Sequence, residues 1–91
     1  MRTVSEWHSR FVSLLTQYDA KESQREAKRP NGIVNIYRLG HLLAAAQRVL
    51  DMTRRHNGNV RDYRDNVEDF FQMIAPVKKF LSEIDEEAAN A

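Results

Sequence analysis

Residues 60–84 read VRDYRDNVEDFFQMIAPVKKFLSEI, and the spacing of their apolar side chains decides the fold class. Val60, Tyr63, Val67, Phe70, Ile74, Val77, Leu81 and Ile84 stand alternately three and four residues apart. That is the a/d spacing of a helix burying one stripe, and Phe71, Met73 and Phe80 widen the stripe on its flanks. A seam of this length requires partner helices packed along it. Pro76 is its one irregularity: it has no N–H to return to Gln72 and its ring crowds that carbonyl, which kinks the helix or divides it. Ile74, Val77, Leu81 and Ile84 keep the count across the proline, so one kinked helix over about 60–86 is expected, with a break as the alternative. Glu83 to Glu87 put acids at the unfavourable end of the helix dipole, and fraying is expected beyond about residue 86.

Two partners can be read upstream. Thr3 and Glu6 form a capping-box pattern, so a helix is expected from about residue 4 to 28, with Val4, Trp7, Phe11, Leu14 and Tyr18 on its inner face and Leu15 beside them. The seam then stops, because Lys21 and Arg25 occupy its next positions and no large apolar side chain lies between Asp19 and Arg29. Good helix formers continue through this stretch, so a solvated helix that loosens toward residue 29 is expected. Arg29-Pro30-Asn31-Gly32 is a break. A second helix is expected over 33–56, with Ile36, Leu39, Leu43, Ala46 and Leu50 on its seam. Gly40 and the alanines at 44–46 suggest a close backbone approach, which would make this the most buried helix. Asn57-Gly58-Asn59 forms the next break, with Gly58 suited to a left-handed C′ position and Asn59 capping the helix that follows.

The architecture these segments imply is all-α: an up-down-up three-helix bundle with short turns, its third helix kinked or broken at Pro76, forming one domain over residues 1–91. Composition agrees. In 91 residues, 42% hydrophobic and 30% charged side chains with three glycines and two prolines describe an ordered helical chain rather than a disordered one. The absence of cysteine excludes disulfide frameworks and thiolate metal sites. The first residues lack the apolar run of a secretory leader, and no stretch is apolar for the length of a membrane span, so a cytoplasmic protein is expected.

Chemistry-bearing motifs are missing: no Gly-rich phosphate loop, no His-Glu-x-x-His and no Glu-x-x-His pattern occurs, and His8, His41 and His56 are scattered. Neither an enzyme nor a cofactor, metal or small-molecule substrate is expected. The net charge of +1 hides an uneven distribution. Residues 1–31 carry six basic and four acidic side chains, 32–59 four and one, and 60–91 four and eight. Neutralisation between the basic middle and the acidic last segment is the simplest expectation.

Lys21, Arg25 and Lys28 share one helix stripe, a basic ridge for a partner or an ordinary solvated face. Since the first helix loses its seam at Tyr18, apolar surface on Phe80, Leu81 and Ile84 is expected to remain for another chain. The residues read as partner-binding are therefore Lys21, Arg25, Lys28, Arg29, Arg48, Arg55, Phe80, Leu81 and Ile84. The functional expectation is a non-enzymatic interaction protein acting through helix faces on a protein partner or a second copy. By analogy with other small helical chains it would be an adaptor, assembly factor or inhibitor, phage-encoded inhibitors of host machinery included. The alternative is nucleic-acid binding by Lys21, Arg25 and Lys28 with Arg48, Arg54 and Arg55. A pI of 8.1, no interleaved aromatics and the acids of the last segment weigh against it.

Overall fold

The computed structural model describes residues 1–56, 58–72 and 74–90; Asn57 of the second break and Met73 on the flank of the seam lie outside the described residues. Among the described residues the chain is all-helical and has no strand. It forms α1 (Val4–Ala27), α2 (Arg38–Arg55), α3 (Val60–Phe70) and α4 (Ala75–Ala89). α1 packs on α2, α2 on α3, α3 on α4, and α4 returns to α1. The body is elongated, 48 × 27 × 19 Å.

The helix starts follow local chemistry. Thr3 Oγ1 accepts from the Glu6 N–H at 3.2 Å and the Glu6 carboxylate accepts from the Thr3 N–H at 3.1 Å, completing the capping box of α1. Asn59 Oδ1 accepts from the Asp62 N–H at 2.7 Å and starts α3. Gly58 lies at φ 65° and Gly32 at φ 61°, the left-handed region that these two breaks require.

The break allowed as the alternative at Pro76 is what occurs: the expected third helix is two, and four helices are counted among the described residues. α3 ends at Phe70 and Ile74, in extended conformation at φ −99° and ψ 121°, caps α4. Pro76 falls in the first turn of α4, where its missing N–H has no intrahelical acceptor to serve, so dividing the helix removes the clash a continuous one would carry. The seam does not run through the break in one phase: Phe70 is exposed while Phe71 is buried. Beyond it, α4 turns four side chains inward, Val77, Phe80, Leu81 and Ile84.

α2 also departs from expectation, starting at Arg38 instead of Ile33. Asn31 Oδ1 accepts from the Ile33 N–H at 3.2 Å and Asn35 Oδ1 from the Tyr37 N–H at 3.1 Å. These short side chains offer the backbone an alternative to helix, and the segment stays an irregular connector. Nor is α2 buried along its length, since its buried residues Ala46, Val49, Leu50 and Thr53 all lie in its second half. No close approach occurs at Gly40, where an added Cβ would meet nothing within 4 Å.

The core gathers around Phe80. Its ring stacks on Phe11 at 4.9 Å between centroids and makes near-perpendicular contacts with Trp7 at 5.7 Å and Tyr63 at 6.4 Å. Phe11 in turn meets Phe71 edge-on at 4.9 Å. Such pairs contribute about 0.5–1.5 kcal/mol each beyond the area they bury. Thr53, the buried polar residue, is satisfied: its hydroxyl donates to the Val49 carbonyl at 2.8 Å and accepts from Asn66 Nδ2 at 2.9 Å.

Candidate interaction surface

Three of the expected partner-binding residues are not surface. Phe80, Leu81 and Ile84 are 0%, 8% and 3% exposed and belong to this chain's own core. The break before α4 allows this helix to lie on the first half of α1, where Trp7, Phe11 and Leu15 supply the cover that Tyr18 and the residues after it do not.

The basic residues do reach the surface. Lys21 and Arg25 lie exposed on the second half of α1, Lys28 caps its end, Arg29 opens the connector, and Arg48 and Arg55 are exposed on α2. They do not form one patch. Arg54 donates from its guanidinium to Ser5 Oγ at 3.1 Å, which places the end of α2 beside the start of α1. Arg25 lies twenty residues further along that helix, about 30 Å at 1.5 Å per residue. The acids of the last segment are met elsewhere than in the basic middle: Glu83 binds Arg10 through two hydrogen bonds of 2.8 and 3.1 Å, Glu87 accepts from the Arg2 N–H at 3.0 Å, and Asp85 pairs with Arg64 at 2.9 Å.

An arginine not singled out by the spacing organises this end of the molecule. Arg38, the first residue of α2, donates from Nε to Asp19 at 2.9 Å, from Nη1 and Nη2 to Glu26 at 2.9 and 2.6 Å, and from Nη2 to Ser23 at 3.3 Å. Asp19, Ser23 and Glu26 lie on one stripe of α1, so a single guanidinium fastens α2 to the part of α1 that has no apolar core beneath it. The Arg38 guanidinium holds the Glu26 carboxyl below the usual carboxylate range, and Glu26 in return raises the pKa of Arg38. The signal in the sequence is the i, i+4, i+7 stripe of polar groups where the seam ends, facing an arginine just after the next break.

Between these anchors runs the connector. Beyond the two asparagine bonds, the Gly32 N–H reaches the Arg29 carbonyl at 2.9 Å and the Asn35 N–H reaches Glu26 Oε1 at 3.4 Å. The backbone is thus fixed from both sides, while Ile33, Ile36 and Tyr37 are 70%, 76% and 69% exposed.

The histidines do not converge. His41 and His56 are exposed, and His8 Nδ1 lies 3.1 Å from the hydroxyl of buried Tyr63, where burial, and after it the charge of Arg54, pushes the imidazole pKa below its usual range. No group of three metal-ligating side chains occurs among the described residues, and no helix among them is long and apolar enough to cross a membrane. Compared with protein-family models, curated proteins and solved structures, the chain matches none of them.

Proposed function

We propose that this chain is a non-enzymatic interaction protein that docks on a macromolecular partner with the end of the molecule formed by the second half of α1 and the connector 28–37. The observation that carries the reading is the set Ile33, Ile36 and Tyr37, three large apolar side chains held in solvent on a hydrogen-bonded backbone. Exposed apolar clusters cost solubility and in monomeric proteins mark binding sites. A fixed backbone loses little further entropy on binding, which favours a surface built to be covered. Tyr37 is of the type enriched at interface centres, and exposed Lys28 and Arg29, at the start of the same connector, suit an acidic rim on the partner. Adaptor, assembly factor and inhibitor, phage-encoded inhibitors included, are the roles such a surface serves. The nucleic-acid reading has less support, because Lys21, Arg25 and Lys28 lie about 30 Å along α1 from where Arg54 is held.

The test compares the chain with an Ile33→Ser/Ile36→Ser/Tyr37→Ser variant. Since all three side chains are exposed, stability should change by no more than about 0.5 kcal/mol for each substitution. Affinity capture and sedimentation should show a protein partner, or a second copy, in stoichiometric amount with the unmodified chain and none with the variant. A variant that keeps every partner of the parent, or a parent that is monomeric and captures nothing, refutes the reading.

A further inference from the structure

We infer that the step between α1 and the start of α4 is a second docking site, which takes an acidic segment carrying an apolar side chain between its carboxylates. The inference rests on the interaction reading above but on different residues. α4 begins at Ala75 beside Leu14 and Tyr18, while α1 runs on past it to Ala27. The result is a groove of about 550 Å³ with Leu14, Tyr18 and Pro76 on its floor.

Its rim is cationic. Lys21 and Arg25 rise from α1 and Lys79 from α4, and among the described residues that line the groove Glu22 is the one carboxylate. Glu22 is already engaged by Arg25 at 2.8 Å. No carboxylate among the described residues lies within ion-pair distance of Lys21 or Lys79. The start of α4 adds to the same potential, because its first turn holds no acid and Ile74 gives no side-chain cap. Lys79 also acts on Glu83, whose carboxyl Arg10, and after it Lys79, hold below the usual carboxylate range. Glu83 is already bound by Arg10 and is not among the groove's lining, so the groove keeps an excess of positive charge that an entering negative group would offset.

A protein segment fits this pattern better than a nucleic acid. The floor is apolar with Tyr18 as its aromatic group, whereas a phosphate backbone wants a longer basic track and several stacking rings. A carboxylate can meet each lysine while a leucine-sized side chain covers Tyr18 and Pro76, the arrangement of anchored acidic peptides.

The experiment selects peptides from a displayed random library on the immobilised chain. It measures the selected peptides, and a duplex DNA oligonucleotide beside them, against the parent, Lys21→Glu/Lys79→Glu and the triple serine variant of the connector. Lys21 and Lys79 are exposed, and circular dichroism should confirm that the double reversal keeps the fold. Selected peptides should carry two or more acids around an apolar residue. They should bind about tenfold or more weakly to Lys21→Glu/Lys79→Glu, and within about twofold of the parent affinity to the connector variant. Peptides lost on the connector variant but indifferent to the double reversal would overturn this site and leave the interaction reading standing. Selection without acidic enrichment, or DNA held more tightly than any peptide through Lys21 and Lys79, would overturn it as well.

Discussion

From Val4 to Leu15, α1 rests on aromatic and aliphatic side chains; from Asp19 to Glu26 it rests on one guanidinium. The first kind of support is worth about 1.5–3 kcal/mol for each large side chain removed from water. The second trades hydration for hydrogen bonds and nets far less, with salt screening what remains. The apolar half therefore sets whether the chain folds. The clamped half sets where the connector and its exposed side chains stand, and can be loosened without unfolding the rest. The surface proposed for a partner is thus positioned by the weaker and more adjustable of the two.

Breaking the apolar half should have the largest effect. Phe80 is fully buried and meets Trp7, Phe11 and Tyr63, so Phe80→Ala should cost about 3–5 kcal/mol, a large part of the stability of a domain this size. Urea unfolding followed by circular dichroism reads the loss as a lower midpoint. A cost below about 1 kcal/mol would mean that the ring is not in the core and would return Phe80 to the surface.

The clamp gives a smaller and more local effect. Arg38→Met removes the donors to Asp19, Ser23 and Glu26, and amide exchange over residues 19–27 should quicken roughly tenfold while the amides around Phe11 and Val49 hold their protection. Acid should do the same to the unaltered chain. The folded-state pKa of Glu26 lies below its usual 4.5, so the clamp contributes in full above that value and is lost as pH falls through the lower, folded one. Exchange over 19–27 in the parent should therefore approach that of Arg38→Met only as pH falls below the ordinary carboxylate range. Uniform exchange across both halves of α1 would erase the distinction between them.

What could be read from the chain divides along similar lines. The caps at Thr3 and Asn59 and the left-handed glycines Gly32 and Gly58 depend on a few neighbouring residues, and all were legible. So was the exposure of Lys21, Arg25, Lys28 and Arg29, because charge on one stripe of a helix needs no knowledge of what packs elsewhere. Ile33 and Ile36 misled because their spacing suits a helix while two asparagines nearby can satisfy the backbone without one. At Phe70 and Phe71 either ring could face inward until Pro76 chose between a kink and a break. That choice also decided whether Phe80, Leu81 and Ile84 had cover. At Arg38 periodicity offers half of the answer, the stripe Asp19, Ser23 and Glu26, while the connector's path decides which cation meets it.

The smallest effect tests how far the first half of α2 is held by such local terms. Arg38 to Ala45 includes no fully buried residue, and of its side chains Leu42 and Ala45, half-buried, pack against the core. Beyond the clamp and these contacts its helix leans on intrinsic propensity, and Gly40 weakens that propensity by about 0.5–1 kcal/mol relative to alanine. The site is exposed and an added Cβ meets nothing within 4 Å, so Gly40→Ala should recover about that amount. For a domain of this length that is a rise of a few degrees, about 2–8 °C, in the midpoint of a thermal scan. The gain should persist beside Arg38→Met, since propensity acts whether or not the guanidinium is present. A fall in the midpoint would mean that another backbone lies against Gly40 after all. This half of α2 would then have backbone packing at Gly40 besides the contacts of Leu42 and Ala45, and the contrast between the two ends would narrow to α1 alone.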